Sequence, residues 1–143
     1  MAPTLPAGGT VLVDHRAYER TDPGLWDVVM FNQPIVPGHA HLASRGAKPP
    51  QWVMRIVAMP GDHVEFGAEW VSVNGSTLAL PAHLAHLSYA GLGKLGIKTD
   101  LPAARLTLRD DEFFVLGDNT ENANDSRFWG ALKRSEITGK VVP

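Results

Sequence analysis

Short apolar runs recur along the chain, and most of them end in a turn-forming pair. Thr10–Val13 (TVLV), Asp27–Phe31 (DVVMF), Gln51–Met59 (QWVMRIVAM), Val64–Phe66, Trp70–Val73, Thr77–Leu80 and Phe113–Leu116 (FFVL) are such runs. Their lengths suit strands, and valine, isoleucine and aromatic residues fill a pleated surface well. Pro60-Gly61-Asp62 stops the third run and Gly117-Asp118 stops FFVL. Asn74-Gly75 separates Trp70–Val73 from Thr77–Leu80. Both residues of that pair tolerate positive φ, which a two-residue hairpin turn requires. Val141-Val142 offers a closing strand. The pattern predicts an all-β, largely antiparallel domain.

Two stretches break the rhythm. Pro34–Pro50 is polar and proline-rich and reads as an exposed loop. Pro81–Ala104 (PAHLAHLSYAGLGKLGIKTDLPAA) mixes small residues, leucines and glycines, with room for one short helix over Pro81–Tyr89. It reads as an insertion or lid. The expected organisation is a single domain, with a core of residues 1–66 and 113–143 and an inserted lobe of residues 67–112. No internal repeat or low-complexity segment is visible.

Composition narrows the function classes. The 143 residues are 44% hydrophobic, enough for a real core. Lysine and arginine number 13 against 15 acidic residues, a net charge of −2 with no polybasic run. No global field calls for nucleic acid. Cysteine is absent, which excludes disulfides, thiolate metal sites and a cysteine nucleophile. No apolar run approaches the ~20 residues that cross a bilayer. The opening MAPTLPAGG has neither part of a signal peptide. The chain as it stands is expected to be soluble, with any membrane anchor lying before Met1.

Three segments carry chemistry as a set. The first is Met1–Leu5 (MAPTL), followed by Gly9–Val13. The second is Met54–Val64 (MRIVAMPGDHV), and the third is Gly117–Gly130 (GDNTENANDSRFWG). In this order they resemble the boxes of the type I signal peptidases, serine peptidases that remove signal peptides from exported proteins. The family pattern is Ser-Met-x-Pro-Thr-Leu, then Lys-Arg-Val-x-x-x-Pro-Gly-Asp-x-Val, then Gly-Asp-Asn with a later Asp-Ser-Arg-x-x-Gly. Asp27–Phe31 and Ile137–Val141 are similar to two further strands of the family. The resemblance spans nearly the whole chain and implies a partly open antiparallel barrel with a small inserted lobe.

It also implies a mechanism. A serine hydroxyl attacks once a base removes its proton. The base is a lysine kept neutral by an apolar pocket, and a second serine orients its amine. By this resemblance the nucleophile would precede Met1. The base position holds Met54, and the orienting-serine position holds Ala123. Methionine has about the reach of a lysine stem but no proton-accepting amine. Arg55, Asp118, Asn119, Asp125, Ser126 and Arg127 match structural support, with Asp125 and Arg127 bracing the base-bearing strand in the family. Met1, Leu5, Trp52 and Val53 would line a shallow groove for small residues before a cleavage site. The implied partners are signal peptides or extended segments of exported proteins, at the extracytoplasmic membrane face.

The resulting expectation is a signal-peptidase-like domain, catalytically impaired or inactive as written. The alternative is a pseudopeptidase module that holds an extended peptide or a partner protein. A self-cleaving serine–lysine domain of the repressor type is disfavoured by GDN…DSRFWG and by the lack of a DNA-binding segment. Thr4 or Ser126 with His63 as base is a conceivable substitute, but the matching family positions are structural. His39 with His41, and His83 with His86, lie in different loops with no carboxylate spacing to join them. A metal site needs three or four ligands, so no metal and no cofactor is expected.

Overall fold

The computed structural model describes residues 1–33, 49–91 and 104–142. Among these residues ten strands form: β1 (Leu12–Asp14), β2 (Val28–Asn32), β3 (Gln51–Ala58), β4 (His63–Phe66), β5 (Val71–Val73), β6 (Ser76–Thr77), β7 (Ala104–Thr107), β8 (Glu112–Leu116), β9 (Leu132–Lys133) and β10 (Ile137–Val142). One short helix, α1 (Ser126–Trp129), precedes β9. Six strands make one sheet in the order β1-β10-β2-β3-β8-β9, and four make a second in the order β6-β5-β4-β7. Every pairing is antiparallel, and neither sheet closes on itself.

The central strands are apolar on both faces, because both are covered. Met54 and Ile56 of β3 join Val29, Phe31, Phe113, Val115, Leu132 and Ile137 in one cluster. Val57 and Ala58 join Val64, Phe66, Val71, Leu108, Phe114 and Leu116 in a second. Successive residues of β8 therefore alternate between the clusters, as a two-residue period demands. A register shift between Ile56 and Ala58 inserts Val57 opposite β8 and turns two consecutive residues toward the second cluster. Phe31, Phe113 and Phe114 are fully buried; truncating any one to alanine costs about 3–5 kcal/mol.

Local signals locate most strands to within two residues. Asn74 (φ 53°) and Gly75 (φ 77°) form the expected hairpin turn. Its second strand is only Ser76–Thr77, shorter than Thr77–Leu80. The expected helix over Pro81–Tyr89 is a single 3-10 turn at Ala82–Leu84. Leu84 and Leu87 are buried three residues apart, but the helical geometry ends at Leu84. The closing strand is Ile137–Val142, longer than the apolar pair Val141-Val142 and one residue beyond the stretch Ile137–Val141 that the resemblance implies. β7 was not anticipated: it is an edge strand with three of four residues exposed, so it lacks an apolar run. His63–Phe66 pairs with β5 and β7, so the second sheet begins ahead of residue 67. The expected loop at Pro34–Pro50 lies almost wholly outside the described residues.

Candidate functional site

β8 runs beside β3 only as far as the pair Leu116–Arg55. Beyond it the chain turns away at Gly117. Gln51–Met54 is thus paired with β2 on one side, and no described strand pairs with it on the other. An open pocket of about 190 Å³ lies there, lined by Met1, Trp52, Val53, Met54, Gly117, Asn122, Ala123 and Asn124. Five residues singled out in the sequence, Met1, Trp52, Val53, Met54 and Ala123, therefore meet in one place. Leu5 does not line it; its N–H turns back to the Met1 carbonyl at 3.0 Å.

The pocket has an apolar floor. Met54 is 8% exposed and packs into the cluster of Val29, Phe31 and Ile56, with Met1 and Trp52 at its margin. Trp52 meets Phe31 edge-on, with ring centroids 6.5 Å apart. Ala123 is in extended conformation, at the end of a 3-10 turn over Thr120–Asn122. Its methyl faces Gly117 so closely that a Cβ at Gly117 would lie 2.7 Å from it. No lining residue has an acidic or basic side chain. Asn122 and Asn124 were missed in the sequence because single asparagines in a polar loop read as surface.

Two buried ion pairs brace the segments that line the pocket. Asp118 is the first hub. Its carboxylate accepts from Arg55 Nε at 3.0 Å and Nη2 at 2.7 Å, from Tyr89 Oη at 2.5 Å, and from Thr4 Oγ1. Arg55 also donates to the Trp26 carbonyl at 3.0 Å. This fixes five separate segments: the opening turn, the corner at Trp26, β3, residue 89 and the turn after β8. Burial opposes ionisation of Asp118, but the donors, led by Arg55, outweigh it and hold the carboxyl below its ordinary range. The same burial, with the carboxylate beside it, pushes the Tyr89 phenol far up.

Asp125 and Arg127 form the second hub, with both side chains fully buried. Arg127 Nε and Nη2 reach the two Asp125 oxygens at 2.8 and 2.9 Å. Its remaining N–H groups donate to the carbonyls of Ala90, Gly91 and Thr120 at 2.8–3.0 Å. All five guanidinium N–H groups thus have acceptors. Asp125 caps α1 through Arg127 N and accepts from Gly117 N at 3.2 Å. Burial pushes its carboxyl above the ordinary value against the pull of Arg127. The hydrogen bonds of this pair therefore run to Gly117, Thr120 and the 90–91 segment, while β3 is reached by Asp118 through Arg55.

The other singled-out side chains lie as follows. Ser126 is buried, and its Oγ accepts from Val115 N at 3.0 Å. Thr4 is engaged with Asp118, and the His63 ring meets Thr107 Oγ1 at 2.9 Å. Among the described residues, neither Thr4 nor Ser126 is hydrogen-bonded to a histidine. Asn119 is exposed and makes no side-chain cap. His83 and His86 are exposed, and His39 and His41 lie outside the described residues. Among the described residues no group of three potential metal ligands comes together, and no helix is long and apolar enough to cross a membrane.

Comparison with known proteins agrees with this geometry. The family described as signal peptidase, peptidase S26, matches residues 1–143. A protein described as probable signal peptidase I-1 of Synechocystis sp. is 31% identical over 143 residues, covering 99% of this chain and 64% of that protein. Signal peptidase IB of Staphylococcus aureus is 31% identical over 148 residues, covering 99% of this chain and 70% of that protein. The chain spans about three-fifths of the length of several such relatives. The crystal structure of a signal peptidase I from Enterococcus faecalis superposes with a TM-score of 0.55 at 22% identity, covering 85% of this chain and 98% of that one. With an open two-sheet antiparallel fold and the three sequence boxes around one pocket, this chain belongs to the signal peptidase family, peptidase S26.

Proposed function

We propose that this domain holds an extended peptide in the pocket beside β3 and does not carry out lysine-dependent peptide hydrolysis. The carrying observation is Met54. It occupies the floor of the pocket opposite Ala123, and no lining side chain can accept a proton at neutral pH. A serine cannot be activated there by a base that is absent, and loss of one member of such a unit costs about as much as loss of all of it. The vacant side of Gln51–Met54 supports strand addition, in which main-chain hydrogen bonds give affinity and alternate side chains enter pockets. The proposed partners are signal-peptide-like or other extended segments of exported proteins, met at the extracytoplasmic membrane face through an anchor outside this sequence. No nucleic acid and no cofactor enters the proposal.

The test is a gain of function. The chain is given a serine before Met1, with and without M54K and A123S, and is assayed on a preprotein. The form with both substitutions should cleave, and the form keeping Met54 should be slower by at least about 100-fold, the general-base contribution. Equal turnover by the two forms would overturn the proposal. Peptide binding by the unaltered chain, followed by calorimetry, tests the groove independently.

A further inference from the structure

Among the described lining residues, Asn122 and Asn124 bring side-chain amides to a largely apolar pocket. Both residues are exposed, and neither side-chain amide has a hydrogen-bond partner among the described residues. Their backbones, by contrast, are tied down: Asn122 N donates to the Asn119 carbonyl at 3.0 Å, and the Asn124 carbonyl accepts from Trp129 Nε1 at 3.1 Å. Ala123 and Asp125 between and after them are fixed by the contact with Gly117 and by the buried pair with Arg127. The two amides thus stand on a rigid segment across the pocket from the vacant side of β3.

Resting on the peptide-holding reading above, we propose that Asn122 and Asn124 are positioning residues that grip the main chain of the bound peptide on the side away from β3. An extended backbone offers N–H and C=O groups on both edges. β3 can satisfy one edge; the other would face the 122–124 segment. A primary amide both donates and accepts, so it matches either group of a peptide unit. Sparse polar groups in an apolar pocket are what orient a ligand. The grip involves no ionisable group, so recognition reads backbone and shape rather than charge.

The probe is a capped, uncharged hexapeptide with alanine at alternate positions, and its analogue with ester linkages in place of two central amides. Binding is followed by tryptophan emission, with W52F as the control for the groove's indole, and by calorimetry on the whole chain. N122A and N124A should each weaken binding of the amide peptide about three- to tenfold, the scale of one hydrogen bond. They should weaken the ester analogue less, because its donors are already gone. N122D loses the donor but keeps an acceptor oxygen, so it should retain the part of the grip that accepts from peptide N–H groups and lose only the part that donates to carbonyls, a split that a purely structural role would not produce. If the chain binds the peptide and both alanine variants bind it equally well, the amide grip is wrong and the groove survives. If the unaltered chain does not bind the peptide at all, the groove reading falls and the grip with it. Thermal melting of each variant separates either result from unfolding.

Discussion

Arg55 and Asp118 face each other as a two-point ion pair, Nε to Oδ1 at 3.0 Å and Nη2 to Oδ2 at 2.7 Å, with side chains 6% and 0% exposed. A pair so buried costs much to assemble and more to break, because a lone buried charge has no water to turn to. Asp118→Ala should therefore destabilise the domain by about 3–5 kcal/mol, much of an ordinary domain's stability. Urea denaturation measures it. R55M with D118L should lose far less than either single change.

The same carboxyl predicts an acid response. Asp118 is held below its unfolded value of 3.8. Its contribution is present above that pH and is lost as the pH falls through the folded value. Asp27, also lowered by Lys140, Gly24 and Tyr18 against its own burial, acts in the same sense. Asp125, raised by burial, acts in the opposite sense. Stability measured between pH 5 and 2 should fall, and the fall should be shallower in Asp118→Asn.

The chain has two tyrosines, and both phenols are hydrogen-bonded to a carboxylate. Burial first and then the carboxylate push each above its ordinary value of 10.0. A titration followed at 295 nm should show almost no phenolate at pH 10, where a free phenol is half ionised. The stability linked to both protonated phenols is present below that pH and is lost as the pH rises toward their folded values. Half ionisation at pH 10 in the folded protein would contradict both placements.

Residues 88–91 form a strap held from one side. Tyr89 binds Asp118, Ala90 N donates to Thr120 Oγ1 at 3.1 Å, and Arg127 takes the carbonyls of Ala90 and Gly91. On the other side Gly91 presses on 67–68: a Cβ there would lie 2.1 Å from the Gly67 carbonyl oxygen. Gly91→Ala should cost more than ~2 kcal/mol, since backbone must move. Arg127→Lys loses the planar fork and should cost a similar amount. Hydrogen exchange at Ala90 should accelerate in both variants relative to β3.

Met54→Lys places an amine on an apolar floor. Burial disfavours its charged form, so its pKa should drop well below about 10.4. The unfolded chain then binds more protons, and the variant's stability should rise with pH between 7 and 10. Parallel stability curves for variant and wild type would mean that the floor is wet.

Local chemistry was legible in the sequence, and distant pairing was less so. Asn74-Gly75 announces its hairpin because the turn is made by those two residues alone. Ala104–Thr107 becomes a strand only because His63–Phe66, forty residues away, offers an edge. Met1, Trp52, Met54 and Ala123 could be read as one site through motif order, since no single segment contains it. Arg55, Asp118, Asp125 and Arg127 were legible as a set, and Asp125 with Arg127 as a pair, but the pairing of Arg55 with Asp118 was not. Which acid meets which segment depends on how the 117–127 turn folds back over residues 88–91, and spacing carries no trace of that.

Trp26 has a φ of 72°, a region bulky side chains rarely occupy. It is held there by its own N–H on the Ile56 carbonyl at 2.9 Å and by Arg55 on its carbonyl. The residue before it, Leu25, is 46% exposed on the rim of a second cavity, which also reaches β5 and β6. The guanidinium that answers Asp118 thus also locks an awkward corner on the far flank of β3. Loosening that ion pair would let Trp26 relax, so damage at the ion pair should be readable as a change in tryptophan environment on the other side of β3.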